Sequence, residues 1–240
     1  LQRIHDVEYW GQATLVDDRV LEIVARYGIE YLLVDREQMD LEIRAAHLDH
    51  GLRDEAAADQ RFARELCQSL GVPFLSARAR VRQHADRNGL SLEAAGRRLR
   101  YRFLFQARRR LGCDLVLTAH TADDQAETVL LRLIAGTGLR GLGGIRPRRR
   151  DGVVRPVLPF TREELRAYLL GSGLDWREDA TNAVADAPRT RMRLLVLPLL
   201  RQWNPRIVQS LVRLAESARG DEAYLSRRAR RLPVDVELDG

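Results

Sequence analysis

The chain has 240 residues, 45% hydrophobic and 31% charged, so it can bury a real core as one large domain or a domain with an appendage. No stretch approaches the ~18 consecutive apolar residues of a membrane span, and the first residues lack the charged-then-apolar pattern of a signal peptide. Cys67 and Cys113 sit among apolar neighbours and read as buried thiols, not as a disulfide or metal site, which makes a cytoplasmic setting the expectation.

The net charge is +6, and all 40 basic residues are arginine. A uniform bias of that kind says little about function, but the clustering says more. Arg97, Arg98, Arg100 and Arg102 form one group, and Arg108 to Arg110 a second. Arg146 with Arg148 to Arg150 is a third, and Arg227, Arg228, Arg230 and Arg231 a fourth. Such blocks suit phosphate backbones, against the plainer reading of a solvated arginine-rich surface.

In chain order, residues 1–40 carry weak signals: a helix over Val20 to Tyr27 and a short strand over Tyr31 to Val34. Leu41 to Asp49 is a clearer strand that runs into H-L-D-H-G-L-R, His47 to Arg53. Asp54 to Leu70 reads as a helix with Phe62, Leu66 and Leu70 as its buried stripe and Gly71 as its stop. Val72 to Ala77 reads as a strand, and Leu90 to Arg110 as a long helix capped by Ser91.

The organising stretch is Asp114 to Gly144. Leu115, Val116 and Leu117 suit a buried parallel strand. His120, Asp123, Asp124, Gln125 and Glu127 follow at once, and Ala126, Val129, Leu130, Leu133 and Ile134 recur as one helical apolar face. A strand therefore feeds a polar turn that opens a helix, and ligands of open α/β sheets sit at such strand ends. Asp124 and Glu127, three residues apart, share a side of the first helical turns. With His120 they could hold a magnesium ion, orient an amine or take a proton. The plainer reading is a capping box of Thr121 and Asp124 with acidic residues in a first turn. Gly136, Gly138 and Gly141 spell G-x-G-x-x-G, but they follow a helix instead of a strand, so they read as a helix stop and tight loop, near which Arg140 could face a ligand.

Pro147 to Gly152 is an arginine-rich loop and marks a boundary, with 1–150 as the main layer and 151–240 as an extended segment and helical extension. The prolines of Val153 to Phe160 exclude a central strand. Thr161 and Glu164 form a capping box that opens a helix to about Leu170. Pro205 to Arg231 is a last helix with Ile207, Leu211, Leu214 and Ala218 on one face.

Several of these stretches together resemble one family. A-H-T-A-D-D-Q-A-E-T-V-L-L-R-L-I-A-G-T-G-L-R-G-L is similar to the signature segment of tRNA(Ile)-lysidine synthases, which are ATP pyrophosphatases. H-L-D-H-G-L-R resembles their H-V-D-H-G-L-R, and E-A-A-G-R-R-L-R-Y-R-F-L their E-A-A-A-R-x-x-R-Y-x-F-L. W-R-E-D-A-T-N, Trp176 to Asn182, resembles W-x-E-D-P-T-N. R-T-R-M-R-L-L-V-L-P-L-L, Arg189 to Leu200, resembles R-N-x-x-R-x-x-x-L-P-x-L, with Thr190 in place of the usual Asn.

The resemblance covers roughly residues 41–219. It implies an α/β fold with a doubly wound, mostly parallel sheet (adenine-nucleotide α-hydrolase-like) and a C-terminal helical extension. It implies that ATP, with Mg2+, adenylates the wobble cytidine of a tRNA, and that the amine of free lysine then displaces AMP. It assigns Arg100, His120, Asp124 and Glu127 to the active site and His47, Asp49 and His50 to the nucleotide pocket, with no residue assigned as a metal ligand. The implied partners are tRNA and L-lysine, with no membrane, and a homodimer is a further expectation. Because both motifs end apolar strands, Asp124 and Glu127 are expected to face the crevice of His47 and Asp49.

The family's phosphate loop, S-G-G-x-D-S after the first strand, has no counterpart. The first serine is Ser69, and only Gly11 and Gly28 precede Gly51. Those loop glycines let backbone N–H groups reach the pyrophosphate. A missing or replaced N-terminus, a pseudoenzyme that kept the scaffold, and another cradle are the three explanations. Little lysidine synthesis is therefore expected of the chain itself. The alternative function is a non-catalytic tRNA-binding or interaction domain on the same scaffold. A tRNA thiolase of the same superfamily is disfavoured, because Cys67 and Cys113 form no C-x-x-C pair.

Overall fold

The computed structural model describes residues 31–35, 42–51, 56–173 and 188–231. The expected helix at Val20 to Tyr27 and the W-R-E-D-A-T-N segment lie outside them. The chain divides into two compact units, the first from residues 1–120 and 147–179 and the second from 121–146 and 180–240.

The first unit is built on a five-stranded sheet: β1 (Tyr31–Asp35), β2 (Glu42–Asp49), β3 (Phe74–Arg78), β4 (Leu115–Thr118) and β5 (Val153–Val154), in the order β3-β2-β1-β4-β5. β2 with β3, and β4 with β5, pair parallel, while β1 is antiparallel to both β2 and β4. Leu32 pairs with Ala45 on one side and Leu117 on the other. β2, β3, β4 and β5 thus all run one way, and their carboxyl ends share an edge. Four of the five strands are parallel, as expected, and the central strand is reversed.

Helices cover both faces, as the period-two alternation requires. Ile43, Ala45, Leu115 and Leu117 pack on α1 (Ala56–Ser69), through Ala63, Leu66 and Cys67, and on α6 (Arg162–Gly171), through Leu165. Ala46, Val116 and Val153 face the opposite way, onto Leu104 and Ala107 of α3 (Leu92–Arg110). Ser91 caps α3 by accepting from Ala94 N, as expected. α2 (Val81–Asn88) was not foreseen. Its sequence, V-R-Q-H-A-D-R-N, holds only two apolar residues, Val81 and Ala85, and both are buried. β5 is only two residues long, since Pro156 and Pro159 stop it. Both cysteines are buried free thiols.

The second unit is helical: α4 (Ala122–Ile134), α5 (Leu139–Leu142), α7 (Pro188–Arg191), a π-helical turn (Met192–Val196), α8 (Leu197–Trp203) and α9 (Ile207–Ala229). Its core joins Ala122, Ala126, Val129 and Leu130 to Leu197, Val208, Leu211 and Ala215. Two expected stripes shift. Leu133 and Ile134 are 53% and 69% exposed, and Leu214 is 42% exposed. The inward faces end at Leu130 on α4 and pass through Val208 and Ala215 on α9, so apolar spacing located the helices but misplaced the rim of each face. Gly136 takes φ +69 just past α4, which confirms the G-x-G-x-x-G run as a helix stop. Among the described residues no helix is long and apolar enough to cross a membrane.

Candidate functional site

The first unit carries five of the seven candidate residues at the ends of β2 and β4 and on α3. His47 stacks on Phe74, with ring centroids 6.5 Å apart. Asp49 is buried and works within the turn that follows β2. Its Oδ1 accepts from Gly51 N at 2.7 Å, and its Oδ2 lies 3.2 Å from Arg78 Nε at the end of β3. His50 and Arg100 meet across 50 positions of sequence, Nε2 to Nη2 at 3.0 Å. A guanidinium can only donate, so Nε2 accepts and the ring proton of a neutral His50 sits on Nδ1. His120 Nδ1 lies 2.9 Å from the hydroxyl of Thr118, the last residue of β4.

Beside Arg100, Tyr101 gathers three guanidiniums. Arg97 and Arg149 lie over its ring at 5.1 and 4.7 Å, and Arg155 is hydrogen-bonded to it. Arg155 is only 3% exposed. Burial pushes its pKa below the usual arginine value; the Tyr101 hydroxyl opposes the shift, and Arg149 and Arg97 add to it. Sequence reading missed Arg155, because a single arginine in an extended, proline-rich segment gives no sign of being buried.

The second unit holds the two carboxylates. Thr121 and Asp124 form the expected capping box: Asp124 Oδ2 accepts from Thr121 N at 2.8 Å and from its hydroxyl at 2.9 Å. Asp124 is therefore a cap, and it also lies beside arginine, with Oδ1 3.4 Å from Arg189 Nη2. Glu127 is fully buried, with side-chain exposure 0%. Arg189 Nε donates to its Oε2 at 2.9 Å, and Arg193 Nε to its Oε1 at 2.8 Å. Asp123 pairs with Arg201 at 3.2 Å. A buried carboxylate needs such partners, because an isolated charge out of water is costly.

Arg189 and Arg193 were not among the candidates, although they are the first and last of the three arginines of the R-T-R-M-R stretch. The signal was present in the spacing. Four residues apart on a helix, they share a face, and the π-helical turn begins at Met192, between them. Such turns often accompany functional sites.

Gln125 supports the loop that follows. Its Oε1 accepts from Ile145 N at 2.6 Å, and Gly144, at φ +63, passes so close that a Cβ there would sit 2.5 Å from that oxygen. Arg140 is exposed on α5. Among the described residues no group of three or more His, Cys, Asp or Glu is arranged to hold a metal.

The family model for the PP-loop domain matches residues 27–200. The chain is 49% identical over 185 residues to the tRNA(Ile)-lysidine synthase of Thermus thermophilus, covering 77% of the chain and 36% of that protein. It is 42% identical over 197 residues to the tRNA(Ile)-lysidine synthase of Solibacter usitatus, covering 81% and 43%. With that of Petrotoga mobilis it shares 38% over 178 residues, covering 74% and 57%. The chain thus spans 36% to 57% of these relatives' lengths. In fold it is similar to the U34-tRNA thiolase NcsA from Methanococcus maripaludis, with a TM-score of 0.58 and 14% identity over 82% of the chain and 65% of that one. The sheet, the helices on both faces and the family match from 27 to 200 lead to one conclusion: the chain belongs to the PP-loop domain family.

Proposed function

We propose that the chain is the nucleotide-handling part of a tRNA(Ile)-lysidine synthase. ATP adenylates the wobble cytidine of the tRNA with loss of pyrophosphate, and the amine of L-lysine then takes the place of AMP. The observation that carries this reading is the capped start of α4, where Asp124 and Glu127 stand three residues apart with Arg189 and Arg193 bound to them. In a lysidine synthase that grouping suits the reacting amine and base. Glu127, with both oxygens taken by guanidiniums, acts by fixing the arginines and the helix start. Asp124, whose side chain is 15% exposed, is the carboxylate better placed to meet an ammonium group.

Mg2+ suits this reading as an ion borne mainly by the ATP phosphates with one protein carboxylate, which is how it is commonly held. Asp124 fits that part better than the fully buried Glu127, and when bound the ion would neutralise phosphate charge. Arg100, His50 and His120 belong to the nucleotide and base side, with His47 and Asp49 shaping the end of β2. The setting is cytoplasmic, and a homodimer is compatible with the proposal.

The reversed β1 matters here. A phosphate loop at the carboxyl edge must follow a strand that ends at that edge. β1 begins there, with Tyr31 beside Thr118, and ends at the other, with Asp35 beside Glu42. The sequence, with no S-G-G-x-D-S, and this topology support the reading that the described residues hold no pyrophosphate cradle after β1.

The test uses the chain with that loop and its strand supplied. AMP release is measured with lysine and tRNA(Ile), and again with a tRNA whose wobble cytidine is replaced by uridine. AMP release that needs both lysine and the cytidine supports the proposal; release indifferent to the base overturns it. A tRNA-binding scaffold without chemistry would bind both tRNAs and release no AMP.

A further inference from the structure

We infer that the first unit carries a nucleotide-binding cleft at the β3 edge of its sheet, between α2 and α3, that takes an unstacked nucleotide of bound RNA. The cleft has a volume of about 350 Å³, within the ~300–1,000 Å³ of small-molecule sites. It is separate from the seven candidate residues, none of which lines it.

Its chemistry is one-sided. Arg78, Arg80, Arg87 and Arg102 line it, and no carboxylate does. Arg78 is committed to Asp49. Arg80, Arg87 and Arg102 are exposed and have no carboxylate partner among the described residues. Three uncompensated guanidiniums around one concavity favour an anion, and guanidinium forks match phosphate oxygens.

The cleft also has an apolar part and an unpartnered polar atom. Leu99 and Phe103 of α3 supply a flat surface on which a base can stack. His84 of α2 lines the same cleft, and its Nε2 is buried with no hydrogen-bond partner. Asn88 Nδ2 donates to His84 O at 2.8 Å and lies 3.5 Å from His84 Nδ1. A buried ring nitrogen without a partner is costly, and a polar group on the edge of a base would meet it. Phosphate, planar ring and a polar ring edge together describe a nucleotide.

RNA is favoured over a free mononucleotide as the source because the cleft continues. A second hollow of about 680 Å³ shares Arg78, Ala79, Arg80 and Gln83 with the first and adds Arg82 with one carboxylate, Asp86, so its lining is net basic. The two hollows flank the same segment and give a basic track longer than one nucleotide. The inference rests on the proposed function only in taking RNA as the partner.

The test is therefore binding alone, with no ATP or lysine. Titrations of the full chain use a tRNA transcript, a short single-stranded oligonucleotide and free AMP or CMP. Arg87→Ala/Arg102→Ala, both exposed positions, should lower affinity and flatten the salt slope by about 0.7 per lost single-strand phosphate contact. His84→Ala should weaken binding ~5- to 100-fold at unchanged salt slope, as loss of a base contact does. Arg61→Ala/Arg206→Ala, exposed and outside the arginine clusters, is the matched control for charge, and circular dichroism checks that each variant folds. Loss confined to the cleft variants, for RNA, supports the site. The same pattern for mononucleotides but not RNA supports a nucleotide site and makes free nucleotide its source. If the cleft variants bind as wild type while tRNA binding stays salt-sensitive, the cleft is overturned and the RNA partner stands. If no RNA binds at all, both readings fail together.

Discussion

The Glu127 cluster gives a prediction in which the sign of an effect changes. Glu127 has no solvent exposure, whereas the side chains of Arg189 and Arg193 are 31% and 25% exposed. Removing the carboxylate by Glu127→Gln leaves two guanidiniums that water can partly reclaim, and the amide still accepts one hydrogen bond. The expected cost is about 1–3 kcal/mol. Removing both guanidiniums, by Arg189→Met/Arg193→Met, takes two charged partners from a buried carboxylate, and breaking a buried pair from that side costs about 3–5 kcal/mol. At a urea slope of roughly 2 kcal/mol per molar, the midpoint falls by about 1.5–2.5 M. In that double variant the buried charge has lost both arginines and is a liability, so adding Glu127→Gln should raise the midpoint. One substitution thus destabilises the natural chain and stabilises the variant. The assay is equilibrium urea unfolding by far-ultraviolet circular dichroism across the cycle. If Glu127→Gln lowers the midpoint in both backgrounds, the arginines are not what holds the carboxylate in place and the reasoning fails.

Three further outcomes follow from the same geometry. Gly144→Ala should destabilise by about 1–3 kcal/mol in thermal or urea unfolding, because φ +63 strains any side chain and the new Cβ strikes Gln125. Burial pushes the Cys67 thiol up from 9.0 to about 11; the folded chain then holds that proton where the unfolded chain releases it. Stability is unaffected below about pH 9 and falls by up to about 2–3 kcal/mol as pH rises from 9 to 11, an effect that Cys67→Ala removes. Binding of tRNA should weaken steeply with salt in filter binding, since arginine–phosphate contacts release counterions, and a flat response would contradict phosphate-led recognition.

Much of this was legible locally. The segments Leu41 to Asp49 and Leu115 to Leu117 became β2 and β4: β4 is buried throughout and β2 at five of its eight residues, a pattern set by a few adjacent residues. Both capping boxes, Thr121 with Asp124 and Thr161 with Glu164, were readable because their bonds span three residues. What escaped depends on distance in sequence. Arg189 and Arg193 reach Glu127 across 62 and 66 positions, and no local pattern encodes that pairing. The reversal of β1 is likewise a choice of partners and direction, made by β2 and β4 on either side of it. Leu133, Ile134 and Leu214 satisfied the apolar period yet stayed exposed, since periodicity fixes a face and not how much of it finds a partner. His50 with Arg100 lay between these cases: the resemblance named both residues, and only the fold showed that they bond to each other.

The central claim is that the lysine and base side of a lysidine synthase site is present while the phosphate cradle is not. The direct measurement is ATP-dependent incorporation of labelled lysine into tRNA(Ile), by the 240-residue chain and by the same chain given S-G-G-x-D-S and its parallel strand. Losing a single donor to a developing charge commonly costs ~100–1,000-fold in rate, and here a whole set of backbone donors is at stake. The account predicts incorporation by the restored chain and at least ~100-fold less by the chain as it stands. Comparable turnover by both would contradict it and mean that the chain holds pyrophosphate by another route. No incorporation by either would contradict the lysidine synthase reading itself.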